Sequence, residues 1–161
     1  MNTLIAYGTK YGCAEKCAIE LAKELNDSVD IVNLKDNNNV DLAKYDHVII
    51  GGSAYIGKIQ KEVTDFMTSR LNELMNKEIG LFICGMQQGD LMDKEIADNF
   101  PAELLKKARS VKHFGGEFTF KKMNFMEKAI VKKIVKVTSD TSDIKHDNIK
   151  SLAMEINMDL R

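Results

Sequence analysis

The chain carries almost no excess charge: 23 lysines and arginines stand against 24 aspartates and glutamates, a formal net charge of −1. That balance argues against the basic class of protein that grips a nucleic-acid backbone. Cysteine is scarce, three in 161 residues. An odd number in an apparently cytoplasmic chain argues for thiols and against a disulfide framework. No apolar run approaches the ~18 residues needed to cross a bilayer. The start of the chain enters a strand at once and lacks the basic, apolar and small-residue series of a signal peptide, so a cytoplasmic location is expected. No Cys/His set stands at metal-ligand spacing along the chain, and the three histidines are scattered, so no metal site is expected. Spacing brings out no Ser/His/Asp or paired-carboxylate arrangement, and no catalytic side chain is assigned.

A composition of 44% hydrophobic and 29% charged residues reads as a soluble globular chain with a real core. At this length one domain, residues 1–161, is the expectation. The most informative stretch is Thr3 to Ala18, TLIAYGTKYGCAEKCA. An apolar run, Thr3 to Tyr7, breaks into a short loop, Gly8-Thr9-Lys10-Tyr11-Gly12. Helical spacing follows at Ala14, Ala18, Leu21, Ala22 and Leu25. This is a strand, a tight turn and a helix whose first-turn amides and dipole can receive an anion. Two glycines let backbone approach a ligand, Thr9 adds a hydroxyl, and a bound phosphate is the expectation, an ordinary βα turn the alternative. Cys13 falls in the first helical turn, where the dipole lowers a thiol pKa. Small residues that fit their places are the preferred reading of Cys13 and Cys17.

The rest of the chain alternates. A helix is predicted over about Gly12–Asn26, a strand over Val29–Leu34 and a turn at Asn37-Asn38-Asn39. The apolar run Tyr45–Gly52 reads as a parallel strand buried on both faces, followed by the loop Ser53-Ala54-Tyr55-Ile56-Gly57-Lys58. A helix over Lys61–Met75, a strand over Glu78–Gly85, a polar loop over Met86–Leu91 and a helical region up to Ala108, interrupted at Pro101, come next. Ser110–Phe120 holds a fifth strand bent at Gly115-Gly116. Met123–Val137 is helical in pattern, Thr138–Asp147 is turn-like, and His146–Leu160 is the closing helix. Strands alternating with helices give βαβ units, right-handed crossovers and a doubly wound α/β sandwich. Ligands then sit beyond the carboxyl ends of the strands, where Gly8–Ala14, Gly52–Gln60 and Gly85–Leu91 gather.

The letters discriminate among nucleotide sites. The P-loop pattern fails because Gly12 is followed by Cys13-Ala14, and Gly8-Thr9-Lys10 does not supply a dinucleotide fingerprint. Strands one and three end in Tyr7-Gly8 and Gly51-Gly52-Ser53, without the carboxylates of a metal-dependent phosphoacceptor. A mononucleotide monophosphate remains.

TLIAYGTKYGCAE followed by VIIGGSAYIGK resembles the flavodoxin family, whose first loop reads T/S-x-T-G-x-T. The resemblance implies a flavodoxin-like three-layer sandwich, with a five-stranded parallel sheet of order 2-1-3-4-5 and FMN as cofactor. Thr9, Lys10, Tyr11, Gly12, Cys13 and Ala14 would wrap the phosphate, Tyr11 and Ala14 standing where the family usually has threonine. Ser53, Ala54, Tyr55, Ile56, Gly57 and Lys58 would cover one face of the isoalloxazine. Tyr55 or Ile56 would lie against the ring, and Gly57 would allow the backbone adjustment that favours one redox state. The third loop, Gly85-Met86-Gln87-Gln88-Gly89, lacks the tyrosine many carriers stack there, which leaves that face more open or covered by Met86.

In the last third, KKMNFMEKAIVKKIVKV sets Met123, Met126, Ile130, Ile134 and Val137 at helical spacing. Lys121, Lys122, Lys128, Lys132, Lys133 and Lys136 face the single Glu127. Such a helix can pack on the core, on a partner or on an anionic membrane. FGGEFTFKKMNFMEKAIVKKIVKVTSDTSD resembles the corresponding region of the flavodoxin-like protoporphyrinogen oxidases. That likeness implies an oxidoreductase moving electrons from a reduced organic substrate to a quinone or other acceptor, with peripheral membrane contact through Lys121–Val137. In place of that subgroup's longer basic insertion stands the short acidic stretch Gln87–Glu95. Two alternatives stay open: a one-electron carrier docking to a redox partner protein, and a flavin-free regulatory domain of the same fold.

Overall fold

The computed structural model describes residues 1–118, 126–130 and 141–158. Apolar and β-branched residues fill β1 (Asn2–Tyr7), β3 (His47–Ser53) and β4 (Glu78–Cys84), and almost every one of them is buried. Strands of this kind need cover on both faces, which makes them the centre of a parallel sheet. β2 (Ser28–Asn33) and β5 (Ser110–His113) are more exposed and form its edges. The order is β2-β1-β3-β4-β5, parallel throughout, as the family resemblance implies.

Helices cover both faces. α1 (Cys13–Glu24) and the closing helix α6 (His146–Asn157) pack on one, burying Ala14, Ala18, Leu21, Ile149, Leu152 and Ile156 around Phe82 and Phe114. α2 (Lys61–Ser69), α3 (Leu71–Leu74), α4 (Gly89–Asn99) and α5 (Ala102–Lys107) cover the other, around Leu4, Ile50, Val63, Met67 and Leu81. Phe82 stacks on Phe114 at 4.7 Å between centroids. Its ring fills the space where a Cβ on Gly51, its β3 neighbour, would come within 2.3 Å. The glycine in the middle of β3 is thus a seat for an aromatic ring.

Three predicted elements shift, while the break expected at Pro101 is where the helix is interrupted. The helix expected over Lys61–Met75 is divided at Arg70. The interruption at Pro101 falls between α4 and α5, where Pro101 is the residue before the first helical turn of α5. The fifth strand ends at His113. After Phe114, Gly115 takes φ +80° and the chain leaves the sheet as β6 (Gly115–Phe118). The stretch expected to be turn-like contains β7 (Thr141–Ile144), which pairs with β6 in an antiparallel ribbon. A Cβ on Gly115 would lie 1.9 Å from the Asp143 carbonyl oxygen, so this crossing requires glycine. Of the helix predicted over 123–137, residues 126–130 are helical and the remainder lies outside the described residues, as do the last residues of the predicted fifth strand and closing helix. Among the described residues no helix is long and apolar enough to cross a membrane.

Candidate functional site

The chain leaves β1 at Tyr7, crosses the carboxyl edge of the sheet and enters α1 at Cys13. Gly12 makes the turn at φ 101°, ψ −4°. Its N–H donates to Thr9 Oγ1 at 2.9 Å, and its carbonyl accepts the first helical bond, from Lys16 N–H at 3.0 Å. Among the described residues no side chain caps the helix. The amides of Cys13, Ala14 and Glu15 therefore lie at the end of α1 with no side-chain partner among the described residues, at the positive end of the helix dipole. Thr9 accepts from Gly12 and keeps its hydroxyl proton to donate outward. This is a cradle for an anion built mostly from main chain.

The second loop is a tight turn. Tyr55 and Lys58 exchange backbone bonds, Tyr55 N–H to Lys58 O at 2.8 Å and Lys58 N–H to Tyr55 O at 3.1 Å. Both central residues are left-handed, Ile56 at φ 51° and Gly57 at φ 77°. Ile56 is 55% exposed there, an unfavourable place for a β-branched residue. Two side chains that sequence reasoning missed brace the loop. Gln60 accepts from Ser53 N–H at 3.0 Å and donates back to Ser53 O at 2.9 Å. Buried Asn99 on α4 accepts from Ile59 N–H at 3.0 Å and donates to the Gly57 carbonyl at 2.9 Å.

The third loop is tied to the ribbon. Gly85 N–H donates to Gly115 O at 2.8 Å. The Gly85 carbonyl lies 2.7 Å from His113 Nε2, which must carry a proton, since a carbonyl only accepts. Burial holds His113 below the usual histidine range, so the neutral ring is favoured.

Between the loops lies a narrow cleft with an internal volume of about 30 Å³. It brings together Lys10, Tyr11, Cys13, Ser53, Ala54, Tyr55, Gly85 and Met86 of the predicted set, and adds Cys84, Gly116 and Glu117. Thr9 and Lys58 line a neighbouring open hollow with Lys10, Lys35 and Tyr55. Gly12, Ala14, Ile56, Gly57, Gln87, Gln88 and Gly89 line neither; Gln88 and Gly89 form the start of α4 instead. Met86 does stand at the cleft, against Gly116, where a Cβ would approach its sulfur to 2.6 Å.

Aromatic and charged groups close the mouth. Tyr11 meets Tyr55 edge-on at 6.2 Å between centroids, and Lys10 Nζ lies 4.5 Å from the Tyr55 ring centroid. Glu127, on the helical 126–130 segment, accepts from Tyr11 Oη and pairs with Lys10 Nζ at 3.0 Å. Burial first, then this bond, raises the Tyr11 hydroxyl well above its usual range. Glu117 pairs with Lys16 at 2.6 Å. No sequence signal pointed to Glu117 or Asn99, because each acts through a partner distant along the chain, and Gln60 reaches Ser53 only because the loop between them folds back.

The floor is sulfur. Cys13, Cys17 and Cys84 are free, buried thiols. Spacing along the chain offers no such set; folding assembles it from one turn of α1 and the end of β4. Hydrogen bonds from Cys17 and Cys84 lower the Cys13 thiol, while the same contacts raise the other two.

A parallel sheet of this order, with the amino end of α1 at its carboxyl edge beside β1, defines a flavodoxin-like α/β domain. The chain belongs to the flavodoxin domain family, whose sequence model matches residues 4–145. Among solved structures it is similar to flavodoxin 2 of Bacillus cereus, at TM-score 0.59 and 16% identity over 96% of this chain and 97% of that one. It is likewise similar to the flavodoxin of Streptococcus pneumonia TIGR4, at TM-score 0.57 and 15% identity over 97% of both chains. A Fusobacterium nucleatum flavodoxin bound to flavin mononucleotide matches at TM-score 0.52 and 17% identity over 96% of both chains. A relative in Leishmania major, described as a protoporphyrinogen IX dehydrogenase [quinone], is 25% identical over 150 residues, 87% of this chain. The match covers 64% of that protein's length.

Proposed function

We propose that the protein is an FMN-dependent oxidoreductase that takes electrons from a reduced organic substrate, protoporphyrinogen IX in the first instance, and passes them to a quinone. The observation that carries the flavin part is the amino end of α1 beside Thr9, which has no side-chain cap among the described residues and reaches the cleft at Cys13. The family and the flavin-bound neighbour point the same way. The substrate and acceptor rest on the likeness to the Leishmania major dehydrogenase.

The residues fit such a cofactor. Amides of Cys13, Ala14 and Glu15, with the Thr9 hydroxyl, would hold the phosphate in place of the threonines that Tyr11 and Ala14 replace. Tyr55 and Met86 stand on opposite loops at the cleft, as walls for a flat ring. When bound, the flavin supplies the electron transfer. The chain's own part is to orient it, exclude water with Tyr11 and Tyr55, and hold the Gly57 peptide through Asn99. Lys10 neutralises negative charge at the mouth, and its pairing with Glu127 ties the 126–130 segment to the phosphate loop.

The test is the visible spectrum of the purified protein with and without FMN, then turnover of protoporphyrinogen with a quinone. Flavin bands that stay with the protein through gel filtration are expected, and quinone-dependent formation of protoporphyrin. A colourless protein that takes up no FMN overturns the proposal. Flavin binding without turnover by any quinone overturns the substrate and acceptor and leaves the carrier alternative.

A further inference from the structure

We propose that Cys13, Cys17 and Cys84 form a binding site for a thiophilic d¹⁰ cation, Zn²⁺ or Cu⁺, in the floor of the cleft. The three sulfurs lie within 4.8 Å of one another, and Cys84 Sγ is 3.8 Å from Cys17 Sγ. Ligands at the metal–sulfur distance of about 2.3 Å in a tetrahedral site stand about 3.8 Å apart. The Cys17–Cys84 pair therefore already stands at the edge length of a metal–thiolate polyhedron, and Cys13 lies within 4.8 Å of both. Sets of thiolates select soft cations over the hard oxygen-seeking ones.

The site has the other parts a metal centre needs. Cys13 and Cys17 are held a turn apart by α1, and Cys84 by a central strand, so the spacing does not depend on a loop. The positive end of α1 favours negative charge at Cys13. Phe82 and Phe114 make a dry wall behind the sulfurs. Cys13 and Cys84 also line the cleft, which gives an entry path and leaves one coordination position facing it. Three protein ligands with an open fourth position is the arrangement of a zinc ion that meets small molecules; three sulfurs alone suit Cu⁺. Binding releases the protons carried by the thiols that become ligands, so affinity rises with pH.

The reduced, chelator-stripped, flavin-free protein is titrated with Zn²⁺ against a chromophoric chelator, and anaerobically with Cu⁺ against bicinchoninate. One ion per chain is expected. Cys17→Ser and Cys84→Ser, confirmed folded by circular dichroism, should each weaken it by roughly tenfold to a hundredfold or more. X-ray absorption of the wild-type complex should show sulfur at about 2.3 Å, with one further light ligand for Zn²⁺ and none for Cu⁺. This spectrum decides the matter even if a serine variant does not fold. No stoichiometric binding of either ion, unchanged affinity in both folded variants, or a first shell without sulfur would each overturn the site. All readouts are made without flavin, so a failure to bind FMN leaves them standing.

Discussion

Ile56 sits where its residue type is disfavoured. A left-handed backbone costs an L-residue about 1–2 kcal/mol, and glycine escapes that cost while losing about 0.5–1 kcal/mol to its looser unfolded state. Ile56→Gly should therefore raise stability by up to about 1 kcal/mol in urea unfolding. It should also weaken FMN binding if the side chain covers the ring. Weakened folding would mean that Ile56 packs more than its 55% exposure implies. At Gly51 the direction reverses. A methyl group there meets the Phe82 ring at 2.3 Å, and overpacking of a filled core costs about 1–3 kcal/mol. Gly51→Ala should lower the unfolding free energy by that amount, read as a lower urea midpoint with an unchanged slope.

At the scale of elements, Asn99 ties the second loop to α4. Asn99→Ala leaves the Ile59 amide without its acceptor and the Gly57 carbonyl without this donor. Stranding buried polar groups costs about 1–3 kcal/mol, and FMN affinity should fall with it. Equal stability of the two proteins would show that the clamp is not holding the turn. His113 couples β5, the third loop and α6: its ring faces Gly85, and its carbonyl accepts from Asn148 Nδ2 at 2.8 Å. Burial depresses its pKa, so the unfolded chain takes up the proton first. Its contribution is therefore fully present above about pH 6.5 and is lost as pH falls from there through the lower folded value. Stability measured from pH 7.5 to 5 should drop more steeply for the wild type than for His113→Gln. Parallel curves would remove His113 as the cause.

The molecule as a whole is nearly neutral, so long-range steering does little for its encounters, and recognition rests on the cleft. A ligand that binds the folded state alone stabilises it by about 2.7 kcal/mol at a hundred times its dissociation constant. FMN should raise the thermal midpoint on that scale, and riboflavin, which lacks the phosphate, much less. Equal shifts would show that the ring, rather than the amino end of α1, holds the ligand.

The strands, the helices and the three loops at the carboxyl edge were legible because their signals are local, whereas the strand order came from the family resemblance. Apolar runs of strand length, helical spacing and glycine turns each act within a few residues. Lys10, Tyr11, Tyr55 and Met86 were singled out for the same reason, since each lies in a loop just past a strand end, and all four line the cleft. The β6–β7 ribbon was not legible: Thr141–Ile144 is polar, and it becomes a strand only because Gly115 lets another segment come alongside. Gln60, Asn99 and the meeting of Cys84 with Cys13 and Cys17 were likewise decided by packing. The sequence by itself determined where chain direction changes and which faces are apolar. Only the tertiary structure decided which distant side chains meet at the cleft, because that depends on how helices seat on the sheet and not on any spacing along the chain.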